Sequence, residues 1–407
     1  MRKTITIGDL GTIITGKTPP TTNKNYYGDY AVFIKPTDIS ESSKYTYETE
    51  EMYSKLAAEK YESSLVPKGA ICVPCIGTIG TKMTMTHCAC YTNQSINSIV
   101  CNENYDNEYV YYLIKNFLPG LKAYNLGTAS GREYVSKSNF EKIELIAEQD
   151  KTIQKRIGAI LSRYDSLIEN YQKQIKLLEE AAQRLYKEWF VDLRFPGHEN
   201  TKIVDGVPEG WEKKKLGDIF TYIRGKSYTS KELSDDGILM INLKNIQSYG
   251  GYNRNAEKRY IGSYKEEQSL KKGDLVMGVT DMTQERRLVG HVALIPDFTE
   301  PVTFSMDLIK IVPFKIPKLY LYCSMRFGGI SAQISPLANG VNVLHLKPES
   351  MMGIEMIVPS NRFIERFCSY ASMNIDKILF LQSQIRLLTE ARDRLLPKLM
   401  NDDFNIL

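Results

Sequence analysis

Five cysteines and one histidine lie within thirty residues of this sequence, and these side chains are common ligands of zinc. Cys72 and Cys75 are separated by two residues, and His87, Cys88 and Cys90 follow. This spacing would allow four ligands to surround one zinc ion. A zinc site is therefore the first chemical hypothesis to weigh.

A second stretch of the sequence argues against zinc, because it aligns with the first and has apolar residues at the cysteine positions. The four cysteines named with His87 align, in order, with Val276, Val279, Val292 and Leu294. His87 aligns with His291. We therefore predict small apolar positions and no metal site. A structural role for both histidines, at the start of a strand, stays one of the open alternatives.

Other catalytic patterns are absent from the sequence. It contains no P-loop, no GxGxxG that opens a helix after a strand, and no GxSxG. The single Pro-Pro pair, Pro19-Pro20, does not form the Asn-Pro-Pro-Tyr loop that a DNA methyltransferase would need. Asp205, Glu212 and Lys214 come nearest to a nuclease centre, but the first copy of the repeat lacks them. We predict no catalytic residues.

The composition is that of a folded protein of two or three domains. The chain has 407 residues, of which 43% are hydrophobic and 25% charged. Its net charge of +4 is too small to indicate nucleic-acid binding by itself. No apolar signal segment or membrane span is visible, and an odd count of seven cysteines favours free thiols. We therefore expect the protein in the cytoplasm.

The sequence is internally duplicated. Residues 7–19 (IGDLGTIITGKTP) return as residues 216–228 (LGDIFTYIRGKSY), so that Gly16-Lys17 aligns with Gly225-Lys226. Residues 174–185 (QIKLLEEAAQRL) return as residues 384–395 (QIRLLTEARDRL). Because the matches keep their order and nearly the same displacement, we interpret the chain as two copies of one plan.

Each copy ends in a long stretch with heptad spacing, which predicts helices over residues 148–190 and 359–397. A narrow apolar stripe of this kind requires a partner helix, and an antiparallel pair within the chain would form a rod of roughly 50 Å. The alternative is that each helix packs only on its own globular unit. The residues predicted at the helix interface are Ile168, Ile175, Leu178, Leu185, Ile378, Ile385, Leu388 and Leu395.

The predicted fold class is α+β, with two similar mixed α/β domains joined by two long antiparallel coiled-coil helices in a pseudo-twofold internal repeat. The domains are expected at residues 1–147 and 211–358. Residues 191–210 are rich in Pro and Gly and predict a linker, and residues 398–407 a C-terminal tail.

In this arrangement the chain resembles the DNA-specificity subunit of type I restriction-modification systems. The motifs that carry the resemblance are the paired openings at residues 7–9 (IGD) and 216–218 (LGD), and the preceding PEGW at 208–211. The most specific pieces are LLEEAAQRLYKEWFVDLRFPG and LLTEARDRLLPKLM. The resemblance covers nearly the whole chain, with a departure at Ala70, where the second copy has Asp274.

This resemblance implies a non-catalytic subunit that binds double-stranded DNA through two target-recognition domains, each reading one half of a split sequence. It also implies docking of two methyltransferase subunits on the helices. These would methylate adenine after base flipping, with S-adenosylmethionine bound to them and no cofactor bound to this chain. Motor-nuclease subunits are a further possible component.

Candidate DNA contacts are loop residues that can donate to phosphates or to base edges. Positions that match between the two copies are favoured, and Arg286-Arg287 most of all, because adjacent guanidinium groups suit phosphate or guanine. The candidates are Lys17, Lys35, Thr78, Lys82, Arg132, Lys226, Lys244, Arg286, Arg287 and Asn339.

Two rival functions stay open from the sequence alone. The first is a coiled-coil adaptor that joins proteins without touching DNA. The second is an enzyme, either a methyltransferase or a nuclease. Salt-dependent duplex binding separates DNA recognition from the adaptor, and transfer of a labelled methyl group would reveal an enzyme.

Overall fold

The structure, a computed structural model, describes residues 2–77, 79–127, 133–254 and 256–401. The chain forms two units, one from Met1–Asn170 with Leu387–Leu407 and the other from Tyr171–Arg386. Both boundaries fall inside the long helices, so each unit includes one part of each helix. Within the described ranges, no helix has an apolar stretch long enough to cross a lipid bilayer.

Among its described residues, the first unit contains nine strands, three short α-helices and parts of both long helices. The strands are β1 (Arg2–Thr6), β2 (Gly11–Thr15), β3 (Tyr27–Ile34), β4 (Met52–Tyr53), β5 (Ile71–Pro74), β6 (Thr84–Met85), β7 (Tyr91–Thr92), β8 (Ile96–Cys101) and β9 (Glu144–Glu148). The helices are α1 (Lys55–Lys60), α2 (Asn107–Phe117), α3 (Lys137–Glu141) and the long α4 (Lys151–Tyr186).

The second unit repeats this plan with additional short strands. Its strands are β10 (Ile203–Val204), β11 (Val207–Pro208), β12 (Glu212–Lys215), β13 (Phe220–Arg224), β14 (Leu233–Ile241), β15 (Lys258–Tyr260), β16 (Leu275–Gly278), β17 (Thr280–Asp281), β18 (Val292–Leu294), β19 (Val302–Phe304), β20 (Leu308–Pro313), β21 (Leu344–His345) and β22 (Glu355–Val358). Its helices are α5 (Lys318–Phe327), α6 (Ile330–Ile334) and the long α7 (Asn361–Met400).

The three sheets of the first unit recur in the second with the same strand orders. The four-stranded sheet β2-β8-β5-β6 matches β13-β20-β16-β18, and the three-stranded sheet β4-β3-β7 matches β15-β14-β19. The pair β1-β9 matches β12-β22. In both units a parallel pairing joins the corresponding strands, β3 with β7 and β14 with β19. The predicted α+β class and the internal duplication are confirmed.

The central strands β5 and β16 are covered on both faces, which explains why they read as continuous apolar runs. Ile71 and Val73 pack in the cluster that contains α2, whereas Cys72 packs on the other face with Ile34 and Ile96. The same alternation occurs in β16. Each unit therefore has a main core and a smaller core, separated by its four-stranded sheet.

The cysteines follow this division of the core. Cys72 and Cys90 share the smaller cluster, but Cys75 lies in the main one. Burial raises the pKa of Cys72 and of Cys75 to about 12, whereas a metal-binding thiol needs a lowered pKa. In the part of the chain that the structure describes, no three His, Cys, Asp or Glu side chains are grouped to hold a metal.

The long helices run antiparallel. In the first unit, Asp165 of α4 forms an ion pair with Arg392 of α7, and Tyr112 of α2 donates to the second oxygen of Asp165. In the second unit, the ring of Tyr186 at the end of α4 lies 5.7 Å from that of Phe367 near the start of α7. The predicted pairing of the two helices is therefore present.

All eight residues predicted at the helix interface are at least partly buried. Ile168 and Ile378 are buried, at 3% and 5% exposure. The partly buried residues are Ile175, Leu178, Leu185, Ile385, Leu388 and Leu395.

Helix α7 continues through Pro397 to Met400, beyond the end that the sequence predicted at residue 397. Pro397 is exposed, and so is Asp393, whose carbonyl loses its helical hydrogen bond to the proline. The buried Leu399 and Met400 hold the last turn in the core. Arg2 donates to the carbonyl oxygens of Leu399 and Met400. The predicted tail therefore starts inside the helix.

The segment predicted as a linker, residues 191–210, is largely exposed but is anchored in the core of the second unit by Phe195 and Val207. Phe195 is 1% exposed, and its ring lies 4.9 Å from Trp211 and 4.7 Å from Phe363. The predicted first helix also begins later, at Lys151, because residues up to Glu148 pair as strand β9 with β1. Apolar packing overrides the linker-like Pro and Gly composition here.

Removing one member of the Asp165–Arg392 pair should destabilise the protein by about 3–5 kcal/mol, because the remaining charge stays buried. We expect this loss for Asp165→Ala in urea unfolding, and recovery of most of it in the double variant Asp165→Leu/Arg392→Leu. Asp393→Ala is the matched control, because Asp393 also binds Arg392 but is 51% exposed. Its expected cost is about 1 kcal/mol or less, and an equal cost would contradict the assignment.

Candidate nucleic-acid interface

In each unit, one of the predicted lysines directly follows a glycine. The neighbouring backbone is too close to this glycine for any other residue to fit. A Cβ atom at Gly16 would lie 2.1 Å from the carbonyl oxygen of Thr92, and one at Gly225 would lie 2.0 Å from that of Ser305. Only glycine permits this approach. The backbone N–H groups of Lys17 and Lys226 then donate to Thr92 (2.9 Å) and Phe304 (2.8 Å). The two predicted lysines therefore occupy equivalent places in their units.

Three segments of the second unit meet around the other predicted contacts, and we call residues 243–251, 282–288 and 339–343 the three-loop surface. Strand β17 pairs with β21, which brings the second and third segments together. Gln284 Nε2 donates to the carbonyl of Val341 at 2.8 Å. The structure thus brings together Arg286, Arg287 and Asn339, which the sequence only aligned separately.

Lys244 and Lys226 connect to the same surface. Lys244 lies on the first segment, where the N–H of Tyr249 donates to the carbonyl of Arg287 at 2.8 Å. The N–H of Met306 donates to the carbonyl of Lys226 at 2.9 Å, and the neighbouring Asp307 accepts from Thr280 at 3.1 Å. All five candidates of the second unit therefore lie on segments joined by hydrogen bonds.

Asp281 organises the segment that carries the two arginines. Its carboxylate accepts hydrogen bonds from the N–H and hydroxyl of Thr283 and from the N–H groups of Leu288 and Val289, at 2.7–3.3 Å. Burial raises the pKa of Asp281, but these hydrogen bonds together lower it below its usual value. The carboxylate is therefore ionised and fixes both ends of the loop.

The two arginines differ in their electrostatic environment. Arg287 forms an ion pair with Glu285 at 2.6 Å. Arg286 forms no ion pair with any described residue, and its buried Nε has no hydrogen-bond acceptor there. The backbone of Arg286 has a φ of 54°, in the left-handed region that a bulky residue rarely adopts. Arg286 therefore has unused hydrogen-bonding capacity.

The first unit forms a corresponding pair of loops with a different carboxylate. The N–H of Gly77 donates to the carbonyl of Glu133 at 3.0 Å, and that of Ile79 donates to the Glu133 carboxylate at 3.1 Å. Ile79 aligns with Thr283, so Glu133 takes the place of Asp281. Lys82 lies on this loop, partly buried. The predicted contacts Thr78 and Arg132 lie outside the described residues.

Lys35 and Lys244 align in the sequence, but their side chains differ in whether they already form ion pairs. Lys35 binds Glu50 at 2.7 Å and Glu51 at 3.1 Å, and these hydrogen bonds raise its pKa although burial opposes the rise. Lys244 is exposed and forms no ion pair among the described residues. Of the two, Lys244 is the better placed to bind phosphate.

A tyrosine–histidine contact occurs in both units and was missed as a site feature in the sequence. The rings of Tyr47 and His87 lie 4.8 Å apart, and those of Tyr249 and His291 lie 5.5 Å apart. Burial lowers the pKa of His291, against opposing effects of Asp281 and the Arg286 backbone. The alignment of the two histidines was the available signal, but nothing in the sequence linked them to the tyrosines.

Gly225→Ala should lower the free energy of unfolding by about 1–3 kcal/mol, because the new methyl group would overlap the Ser305 carbonyl. Gly353→Ala is the control, since a Cβ there meets nothing within 4 Å. We expect it to be neutral or stabilising by about 0.4–1 kcal/mol. Equal unfolding midpoints in urea for the two variants would contradict the close approach at Gly225.

Comparison with known proteins identifies relatives along nearly the whole chain. The specificity subunit of the type I restriction enzyme MjaIX from Methanocaldococcus jannaschii is 27% identical over 98% of this chain and 93% of its own length. The HindI specificity subunit from Haemophilus influenzae is 35% identical over 39% of this chain and 35% of its own length.

A solved structure shares the fold. The crystal structure of the type I restriction-modification S subunit from M. genitalium matches with a TM-score of 0.57 and 17% identity, over 98% of this chain and 96% of that one. The family model for the type I restriction modification DNA specificity domain matches residues 2–180 and again residues 208–361. Both copies of the internal repeat are thus covered, and the chain belongs to the type I restriction-modification DNA specificity family.

Proposed function

We propose that this chain is the sequence-reading subunit of a type I restriction-modification complex, in which each unit reads one half of a split duplex target. The observation that carries the proposal is one framework present twice with different loops. The sheets of the two units have the same strand orders, but Arg286 of the second unit aligns with Lys82 of the first. Two different half-sites require different recognition residues, and these can be carried by loops on the same framework.

The alternative of a protein adaptor without DNA binding has no support from the comparisons. The relatives named above are specificity subunits, and the matched family is defined by DNA specificity. The loops also carry cations that the protein leaves unpaired among its described residues, Lys244 and Arg286. Lysine and arginine supply most contacts to DNA phosphates, and arginine the commonest contact to guanine.

The same family membership makes the chain a specificity subunit and not the catalytic subunit. We propose that methylation of adenine is performed by methyltransferase subunits that bind S-adenosylmethionine, two of them on one copy of this chain. Motor-nuclease subunits would join the same complex.

Exposed apolar residues on α7 support a docking role for the long helices. Met373, Phe380 and Leu387 recur every seven residues and are 65%, 53% and 48% exposed. A stripe of this spacing on the outer side of a helix is suited to packing against a helix of another protein. Methyltransferase subunits are the partners that the proposed function supplies.

Methylation profiling of the host genome with and without this gene tests the proposal directly. We expect a target with two defined half-sites and a fixed gap to lose adenine methylation when the gene is removed. An unchanged methylome would reject the proposal, and so would loss of a target without a gap. Purified chain alone should transfer no labelled methyl group from S-adenosylmethionine to DNA.

Replacing residues 1–147 with the corresponding domain of a relative should change one half-site of the methylated sequence and leave the other intact. The reason is that each unit has its own cores and loops. Sequencing of methylated sites in cells that carry the chimaera measures this. Changes in both halves would contradict independent reading.

Lys244→Ala should weaken duplex binding and reduce the slope of log affinity against log salt by about 1, if Lys244 binds one phosphate. Lys35→Ala is the matched control, because Glu50 and Glu51 already neutralise Lys35. Its slope should stay that of the unaltered protein. Fluorescence anisotropy of the complex with its methyltransferase, across a salt series, measures both, and equal slopes for the two variants would refute the distinction.

A further inference from the structure

We propose that Arg286 reads a guanine in the half-site of the second unit, and that Asp281 and His291 are its positioning residues. The inference rests on the proposed function and deepens it by assigning a base type to a side chain. It also separates Arg286 from its neighbour Arg287, which the sequence treats alike.

Arg286 has hydrogen-bonding capacity that the protein does not use among its described residues. Its Nε is buried without an acceptor, and no described carboxylate pairs with its guanidinium group. A buried donor without a partner costs free energy, and protein interiors rarely keep one without a reason. Arg287 is already bound to Glu285 at 2.6 Å. The terminal Nη groups of Arg286, which are not buried and bind no described residue, can therefore donate to an outside partner, whereas Arg287 would first have to release Glu285.

The loop also holds Arg286 in place. Its left-handed φ of 54° is unfavourable for a residue with a long side chain, and such conformations persist only where the surroundings enforce them. Asp281 is 1% exposed and supplies that enforcement through four hydrogen bonds to Thr283, Leu288 and Val289. Arg286 lies between these anchored positions.

His291 also supports the loop. The histidine is 8% exposed, interacts with the backbone of Arg286, and meets the ring of Tyr249 edge to face. The N–H of Tyr249 in turn donates to the carbonyl of Arg287 at 2.8 Å. The backbone on both sides of the Arg286 side chain is thus fixed before any ligand binds, which limits the entropy lost on binding.

The chemistry of the side chain favours guanine. The guanidinium group presents parallel donors that match the O6 and N7 acceptors of guanine in the major groove, and this is the commonest specific contact of arginine with DNA. Gln284 and Asn339, which suit other base edges, lie on the same three-loop surface. In the first unit the aligned residue is Lys82, a single point charge without this geometry.

The test uses the complex with its methyltransferase subunits and a duplex library randomised in both half-sites, with sequencing of the bound fraction. We expect Arg286→Ala to reduce the preference for guanine at one position of one half-site by about 5- to 150-fold. Arg286→Lys should retain the overall affinity better but lose most of the same preference. The other half-site should be unchanged in both variants.

Two control variants accompany them. Arg287→Ala should keep the guanine preference at that position whatever its effect on overall affinity, and Lys82→Ala should alter only the other half-site. If Arg286→Ala weakens binding to all sequences equally, Arg286 contacts phosphate and the guanine assignment is overturned. If the unaltered complex selects no sequence, the proposed function itself fails. Selection that survives intact in Arg286→Ala rejects only this inference.

The positioning role of Asp281 has its own readout. Asp281→Asn should reduce the same guanine preference, and combining it with Arg286→Ala should reduce that preference no further than Arg286→Ala alone. Thr283→Val, which removes one donor to Asp281, is the milder variant and should act in the same direction. Additive losses in the double variant, or equal losses at every position of both half-sites, would reduce Asp281 to a general structural role.

Discussion

The apolar sides of the two long helices must be covered, and everything else in the structure depends on how this is done. In the first unit, Ile157 and Leu161 of α4 share a core with Leu396 and Leu399 of α7. The ion pair between Asp165 and Arg392 joins residues 227 positions apart in the sequence. Neither the first nor the second unit is complete until α7 has packed in place. Folding therefore requires contacts between residues that are separated by most of the chain.

The duplicated sheets keep their strand orders while the loops on them differ. A backbone N–H at matching positions, Ile79 and Thr283, is bonded by a carboxylate in both units, but the carboxylate comes from Glu133 in one and Asp281 in the other. Both units must provide an acceptor for that N–H group, but they provide it from different positions in the sequence. Recognition residues are therefore free to change without disturbing the sheets beneath them.

The sequence predicted those features of the structure that depend on local spacing or on the internal repeat. The heptads predicted the antiparallel helices, and the repeat predicted the matching lysines after Gly16 and Gly225. The sequence did not predict the packing of Phe195, the continuation of the helix beyond Pro397 or the ion pairs that neutralise Lys35. Each of these depends on contacts between segments that are distant in the sequence. The comparison of the two copies did not reveal Asp281 as part of the candidate site, because Asp281 aligns with Gly77.

The buried group formed by Tyr112, Asp165 and Arg392 limits how new specificities arise in evolution. Recombination that imports a different first domain replaces Tyr112 but keeps Asp165 and Arg392, which belong to the long helices. The positions that match Tyr112 and Arg392 in the second unit are Cys323 and Ala182, and there Arg326 joins Tyr322 of α5 to Glu179 of α4 instead. An incoming first domain must therefore supply a hydrogen-bond donor for Asp165, whatever bases its loops recognise.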